Sequence, residues 1–244
     1  MRVTLKQIAE RAGVSLNTAS RALNDKPDIS KETKARIKAI ARQLNYVPHG
    51  LARGLASGNS KIIGLVVSDS ANPFYGKMIR GVEEVVSAHG YSMLLCNTSE
   101  THDLELRALQ VLREKRVDGI LLTSTQVGTR HVVELQDERI PLVLINRHFP
   151  AIRCDYVIHD NVRGAYLAIS HLVSLGHRRI GFICGPLRLS SARERRSGYL
   201  KALAEGGIKP EPGLVVSVNL IMEPAYRAAV DLLQRSFRPT AIFT

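Results

Sequence analysis

What the sequence lacks already narrows what it can do. It has three cysteines, Cys96, Cys154 and Cys184, in 244 residues. They lie far apart, each in or beside an apolar run, with no CxxC pair and no histidine at ligand spacing. The pattern argues against a disulfide framework or a thiolate zinc site and predicts buried free thiols in a reducing cytosol. Long hydrophobic runs are missing too: the longest are about six residues, against roughly 20 needed to span a bilayer. The N-terminus shows no secretory leader, since Lys6, Glu10 and Arg11 stand where an apolar segment would be. No P-loop, HExxH, GxGxxG or Ser/His/Asp set is present, so no catalytic residue and no cofactor is predicted. His171 and His177 are separated by a helix-ending Gly176 and fall on different faces, so no metal site is predicted either.

Acidic residues are scarce at one end. Residues 1–60 carry eleven Lys/Arg against four Asp/Glu, a net +7 out of +12 for the whole chain. A basic head on a milder body points to a polyanionic partner for the head, although charge alone fits a solvated surface equally well.

The head reads as three short helices. Thr4 with Gln7 forms a capping box, Gly13 ends the first helix, Ser15 caps the second through about Leu23, and Ser30 caps a third. In the third, Ile37, Ile40, Ala41 and Leu44 form an i, i+3, i+4, i+7 stripe, and Pro48 ends it. Residues 49–58 are marginal as an isolated helix. From Lys61 onward short apolar strands alternate with amphipathic helices. Strands are predicted at Ile62–Val67, Ser92–Cys96, Gly119–Thr123, Leu142–Ile145, Tyr156–Ile158, Ile180–Cys184, Leu214–Val218 and Ala241–Thr244. Helices are predicted at about 74–89, 102–115, 129–137, 161–175, 190–206 and 224–236. This alternation means βαβ units and parallel sheet covered on both faces. The last strand begins only at the end of the sequence, which suggests a chain shorter than a complete domain of this type.

Two helices joined across Gly13 put Ser15, Leu16, Asn17, Thr18 and Arg21 near the exposed side of the second. Such a helix fits a DNA major groove, where Asn pairs with adenine and Arg with guanine, while hydroxyls and the helix N-terminus hold phosphate. A three-helix cap with a polar face remains the alternative on pattern alone.

Residues 3–55 decide the matter by resemblance. The Ala-Gly-Val-Ser turn at Ala12–Ser15, the run Thr18–Arg21 and the exit Leu44–Pro48 closely resemble the headpiece of the lac repressor/gal repressor (LacI/GalR) family. The resemblance implies that Leu16, Asn17 and Arg21 touch base edges, and that Thr4, Ser15, Thr18, Ser20, Asn24, Ser30 and Thr33 bind phosphates. It also implies a hinge helix over 49–57 that folds in the minor groove when two chains pair on DNA, with Leu55 as a wedge and Ala52 beside it.

The resemblance continues over 61–244, through Ile63–Val67, Ser68–Phe74, Gly90–Asn97, Arg116–Leu122, Asp160–Ala165, Leu175–Ile180 and Ser191–Gly198. It implies the periplasmic sugar-binding protein fold, two α/β lobes around a ligand cleft. Ligands in open α/β sheets bind beyond the carboxyl ends of strands, and Asp69, Ser70, Asn146 and Asp160 fall there. Phe74 offers an apolar face to a ring. Arg195 matches the family's effector-gripping arginine and Ser191 a hydroxyl contact. Each has a plainer reading: Asp69 or Asn72 as a helix cap, Phe74 as core, Asp160 and Asn161 as a cap, and Arg193, Arg195 and Arg196 as a solvated face. Leu189 and Leu220 align with contact positions but lack hydrogen-bonding groups. Asn146 stands where several members have Asp, which leaves the ligand class open.

The expected architecture is an all-α helix-turn-helix headpiece (1–47), a hinge and linker (48–60), and an α/β periplasmic-binding-protein-like effector domain (61–244) with two parallel-sheet lobes, the second incomplete. The expected function is a sequence-specific, effector-controlled transcription regulator of a metabolic operon, most simply a repressor. Its partners would be a pseudo-palindromic double-stranded operator, a sugar or nucleobase-like effector, and further copies of itself in a homodimer or tetramer. It would have no membrane partner, and would work in the cytoplasm on the nucleoid. The competing readings are a soluble sugar-binding receptor, which residues 1–60 argue against, and an α/β enzyme, for which no chemistry is found.

Overall fold

The computed structural model describes residues 3–46, 59–219 and 221–244. The chain divides into two units, residues 1–60 and 61–244. The predicted hinge, with Ala52 and Leu55, falls in 47–58 and lies outside the described residues, as does Leu220.

The first unit contains α1 (Leu5–Ala12), α2 (Leu16–Leu23) and α3 (Lys31–Gln43). Each begins on a hydroxyl cap. Thr4 and Gln7 form a reciprocal capping box, with Thr4 N donating to Gln7 Oε1 at 2.9 Å. Thr18 N donates to Ser15 Oγ at 3.0 Å, and Thr33 N to Ser30 Oγ at 3.2 Å. The α1–α2 turn passes through Gly13 at φ +63°, a left-handed conformation that is cheap only without a Cβ. With so few residues the core is small: Ile8, Ala12, Ala22, Ile37 and Ala41, ringed by Val14, Leu23, Ile29 and Leu44. Alanines at the crossings let three short helices approach closely.

The second unit has two parallel sheets. The first lobe carries β1 (Ile62–Val67), α4 (Pro73–Ala88), β2 (Ser92–Asn97), α5 (His102–Glu114), β3 (Gly119–Leu122), α6 (Arg130–Asp137), β4 (Leu142–Ile145) and β5 (Asp155–Val157). Its strand order is β2-β1-β3-β4-β5, all pairs parallel. The second lobe carries α7 (Asn161–Ser174), β6 (Ile180–Cys184), α8 (Ser190–Glu205), a 3₁₀ turn (Pro212–Leu214), β7 (Val215–Ser217), α9 (Met222–Gln234) and β8 (Ala241–Phe243), in the order β7-β6-β8. The strands and helices predicted from Lys61 onward are all present, with ends shifted by two residues or fewer.

Helices cover both faces of the first sheet. One face packs Val66, Ile120, Leu122 and Leu144 against Leu109, Leu112, Val132 and Leu135. The other packs Leu65 and Val67 with Tyr75 and its neighbours on α4. In the second lobe β6 is central and buried at all five positions, which explains why its sequence shows no alternation. The helices α7 and α8 meet at Gly198, where a Cβ would lie 2.1 Å from the carbonyl oxygen of Val162 and 2.9 Å from Tyr166 N. Only glycine allows that approach.

The thiols partly match expectation. All three are free, but only Cys184 is buried, while Cys96 and Cys154 are half-buried. Burial raises the pKa of each. Among the described residues no helix is long and apolar enough to cross a membrane.

Candidate DNA interface and ligand cleft

On the first unit, α2 turns Leu16, Asn17 and Arg21 outward; Leu16 is 53% exposed despite its apolar side chain. The hydroxyl residues beside them are engaged in capping. Ser15 Oγ and Thr18 Oγ1 are 2.9 Å apart, Ser30 Oγ donates to Thr33 Oγ1 at 2.9 Å, and Asn24 Nδ2 donates to Ser20 O at 3.0 Å. Thr4, Ser15 and Ser30 therefore mark three exposed helix starts, where backbone N–H groups and the helix dipole favour anions. Arg21 Nε donates to Asp28 Oδ2 at 2.7 Å.

On the second unit, polar residues gather at the carboxyl ends of the strands. Asp69 and Ser70 follow β1: Asp69 Oδ1 accepts from Ala71 N at 3.0 Å, and Ser70 N donates to Asn97 Oδ1 at 2.8 Å. Asn72, not Asp69, caps α4 by accepting from Phe74 N. Phe74 is 38% exposed, edge-on to Tyr75 at 5.1 Å between centroids and 5.6 Å from His159. It is neither full core nor bare surface. Asn146, after β4, is buried at φ +66°; its Nδ2 donates to Tyr75 Oη at 3.5 Å and its Oδ1 has no hydrogen-bond partner. Thr123 Oγ1, after β3, is likewise buried without a partner. Buried polar atoms left unpaired are rare because desolvation is then uncompensated.

Arg147, next to Asn146, is 1% exposed. Its Nη1 donates to Glu100 Oε2 at 2.9 Å and to Ser124 O at 2.8 Å, and its Nη2 to Glu100 Oε1 at 2.5 Å. Burial works against its charge, but the Glu100 carboxylate more than restores it, so its pKa lies above the ordinary value. Beneath the same loop Glu105 is fully buried. Burial opposes its ionisation, yet hydrogen bonds from His131, Thr125 and Ser124 outweigh that and hold its carboxyl below the usual range.

The second lobe reaches this region through the start of α8. Ser191 is buried there. Arg195 Nε donates to Asn161 Oδ1 at 3.1 Å, and Asn161 Nδ2 to Glu194 Oε2 at 2.8 Å. Burial and then the neighbouring Arg147 guanidinium pull the pKa of Arg195 below the arginine norm. It is thus not part of a solvated face, unlike the exposed Arg193 and Arg196. Asp160 caps α7 by accepting from Arg163 N at 2.9 Å. A closed ring of hydrogen bonds joins the lobes: Ser190 N donates to Gln126 Oε1 at 2.6 Å, Gln126 Nε2 to His148 O at 2.7 Å, and His148 N to Ser190 Oγ at 3.1 Å. Arg188 Nε adds a bond to Thr125 O at 3.2 Å.

Two family descriptions match the chain: "Bacterial regulatory proteins, lacI family" over residues 4–49, and "Periplasmic binding proteins and sugar binding domain of LacI family" over residues 60–244. The chain belongs to the lacI family of bacterial regulatory proteins. It is a DNA-binding transcriptional regulator with an effector-binding domain, and not an enzyme. Among relatives, the HTH-type transcriptional regulator DegA of Bacillus subtilis (strain 168) is 33% identical over all of this chain and 73% of its own length. The HTH-type transcriptional repressor PurR of Edwardsiella ictaluri (strain 93-146) is 36% identical over 98% of this chain and 71% of its own. Among solved structures, the lac repressor dimer bound to operator and the anti-inducer ONPF superposes with a TM-score of 0.82 at 25% identity, covering 99% of this chain and 73% of that one. The transcriptional regulator CelR–cellobiose complex gives a TM-score of 0.68 at 29% identity, covering 99% and 73%.

In this lacI-family chain the structure brings Phe74, Asn146 and Arg195 together, linked through Tyr75, Arg147, Asn161 and His159. Ser191 sits on the same α8 start, whereas Asp69 and Asp160 spend one oxygen each on turns and caps. Sequence reading did not select Thr123, Tyr75, Arg147, His148 or Glu194. The one signal in the sequence was the polar run Thr123–Gln126 directly after an apolar strand.

Proposed function

We propose that this lacI-family chain is an effector-controlled repressor of a metabolic operon, working as a homodimer or higher assembly on chromosomal DNA in the cytoplasm. In this reading residues 1–47 are the DNA-binding head, 48–60 the hinge and linker, and 61–244 the effector domain. Leu16, Asn17 and Arg21 read base edges; Thr4, Ser15, Thr18, Ser20, Asn24, Ser30 and Thr33 grip phosphates; Ala52 and Leu55 enter the minor groove. One α2 helix covers only half of a pseudo-palindromic site, so two copies are needed. The similar lac repressor binds its operator as a dimer, and the similar PurR is named a transcriptional repressor; both support the reading.

The effector is a sugar or nucleobase-like metabolite that inserts between the lobes. Phe74 supports its ring, and Arg195, Ser191 and Asn146 supply hydrogen bonds, with Asp69, Ser70 and Asp160 at the margin. The observation that carries this is the buried, unpartnered oxygen Asn146 Oδ1, whose amide meets Tyr75, a neighbour of the desolvated Arg195. Neutral acceptors and a guanidinium suit hydroxyl or amide edges. Selection of bound sites from random DNA, followed by a screen of sugars and nucleobases for an effect on binding, tests both halves. A recovered palindrome whose affinity falls steeply with salt is expected; failure to select any sequence at low salt rejects the regulator reading for this chain, and an Arg195→Ala variant with unchanged effector response rejects the cleft assignment.

A further inference from the structure

Arg21 is not the only charged residue of its surface. Asp28, in the loop between α2 and α3, accepts a hydrogen bond from Arg21 Nε at 2.7 Å. That loop is pinned at its other end. Asp25 adopts φ +55°, both its carboxylate oxygens accept from Lys38 Nζ at 2.6 and 2.8 Å, and its carbonyl accepts from Lys34 Nζ at 3.2 Å. The carboxylate of Asp28 is therefore presented from a fixed backbone. The pairing is mutual: Arg21 lowers the pKa of Asp28, and Asp28 raises that of Arg21, in both cases first through their hydrogen bond.

A carboxylate on a surface that meets DNA weakens binding, because every phosphate repels it. Asp28 is nonetheless placed against the one arginine of α2. The hydrogen bond engages Nε, so it does not consume the two Nη groups, the fork that matches O6 and N7 of guanine. An unanchored arginine has a long, rotatable stem and can turn its fork to a phosphate as readily as to a base. Fixing Nε restricts that choice. A wrong base then leaves the fork unpaired, which is how polar sites discriminate.

We infer that Asp28 is a specificity-positioning residue, which holds the Arg21 guanidinium as a preset fork for a single guanine in each half-site and lowers affinity for all DNA in exchange. This rests on Arg21 acting as a base reader, as proposed above. The hydrogen bond supplies the discrimination, and the negative charge supplies the uniform weakening. The two effects can be separated by substitution, since asparagine keeps an oxygen acceptor without the charge and alanine keeps neither.

The test compares wild type, Asp28→Asn, Asp28→Ala, Arg21→Ala and the Arg21→Ala/Asp28→Ala double variant in the full chain. Affinities are measured at fixed salt for the selected operator, for operators altered one base pair at a time, and for random duplex. Both partners are exposed, and an unchanged helical circular dichroism spectrum serves as the folding control. Asp28→Ala is expected to bind random duplex more tightly and to lose about tenfold of its discrimination at one base pair per half-site, with other positions unaffected. Asp28→Asn is expected to tighten random binding similarly but to keep most of that discrimination. Arg21→Ala is expected to lose it entirely, and the double variant to lose no more. If Arg21→Ala flattens one position while Asp28→Ala leaves it at wild-type preference, Asp28 has no positioning role and the proposal is overturned alone. If Arg21→Ala flattens no position, the base-reading assignment falls and the proposal falls with it.

Discussion

The head and the body handle polarity in opposite ways. Among the described residues of the three-helix unit no charged side chain is buried, ion pairs such as Arg21–Asp28 and Lys38–Asp25 are open to water, and the buried positions are alanine and isoleucine. In the α/β unit the polar groups that matter are inside: Arg147, Glu105, Asn146, His131 and Asn161 are all under 8% exposed. A surface that meets a polyanion needs charge in solvent, where it can be exchanged for phosphate. A cleft that holds a small neutral or weakly polar molecule needs charge withdrawn from water, because hydrogen bonds discriminate best where water cannot compete. The same amino-acid types thus carry weak, replaceable contacts in one unit and strong, structurally committed ones in the other.

The contrast breaks most visibly at Arg147. Replacing it with alanine strands the Glu100 carboxylate and the Ser124 carbonyl, and is expected to destabilise the body by about 3–5 kcal/mol, read as a lower denaturation midpoint for residues 61–244 with the head's operator contacts unchanged in register. A loss below about 1 kcal/mol, the range of surface pairs, would mean that the body's charges are no more committed than the head's. Next in size is Gly198→Ala, whose methyl group would press on Val162 O; a cost of about 3 kcal/mol is expected from forced separation of α7 and α8, visible in the same melt. Glu105→Gln is expected to cost about 1–2 kcal/mol near neutral pH. Because the Glu105 carboxyl is held below its ordinary pKa, its contribution is complete above that ordinary value and fades as pH falls through the folded one. Wild type should therefore lose stability on acidification more steeply than the glutamine variant, and parallel curves would remove the ionised carboxylate from the account. The smallest effect is Ser30→Ala in the head, about 1 kcal/mol for a lost N-cap, measured by helical melting of residues 1–60 within the chain.

The same difference decided what the sequence could reveal. In the head, Thr4, Ser15, Gly13 and Ser30 act on residues two or three positions away, so their roles are visible in a string of letters. The strands were legible for a similar reason, as short apolar runs between helix caps. The cleft was not, because its contacts join distant residues: Glu100 with Arg147, Asn161 with Arg195, Gln126 with Ser190. Arg195 could be picked out only by resemblance, and nothing local distinguished it from Arg193 and Arg196. Asp160 and Asn72 show the reverse, since capping is a local role that their positions already offered beside the pocket reading, and the structure shows both as caps.

The amide of Gln126 is both acceptor and donor within one rigid plane, and the two halves of the α/β unit each hold one side of it. Two neutral hydrogen bonds cross there, Ser190 N to Gln126 Oε1 and His148 N to Ser190 Oγ, with the Arg188–Thr125 bond beside them; at roughly 1 kcal/mol each they make that fastening worth only a few kcal/mol. A metabolite with a dissociation constant near 1 μM brings about 8 kcal/mol, of which a fraction suffices to open or tighten such a fastening. The gearing between the halves is therefore set on the same energy scale as an ordinary small molecule, and the Gln126 carboxamide is one of the side chains that carry it.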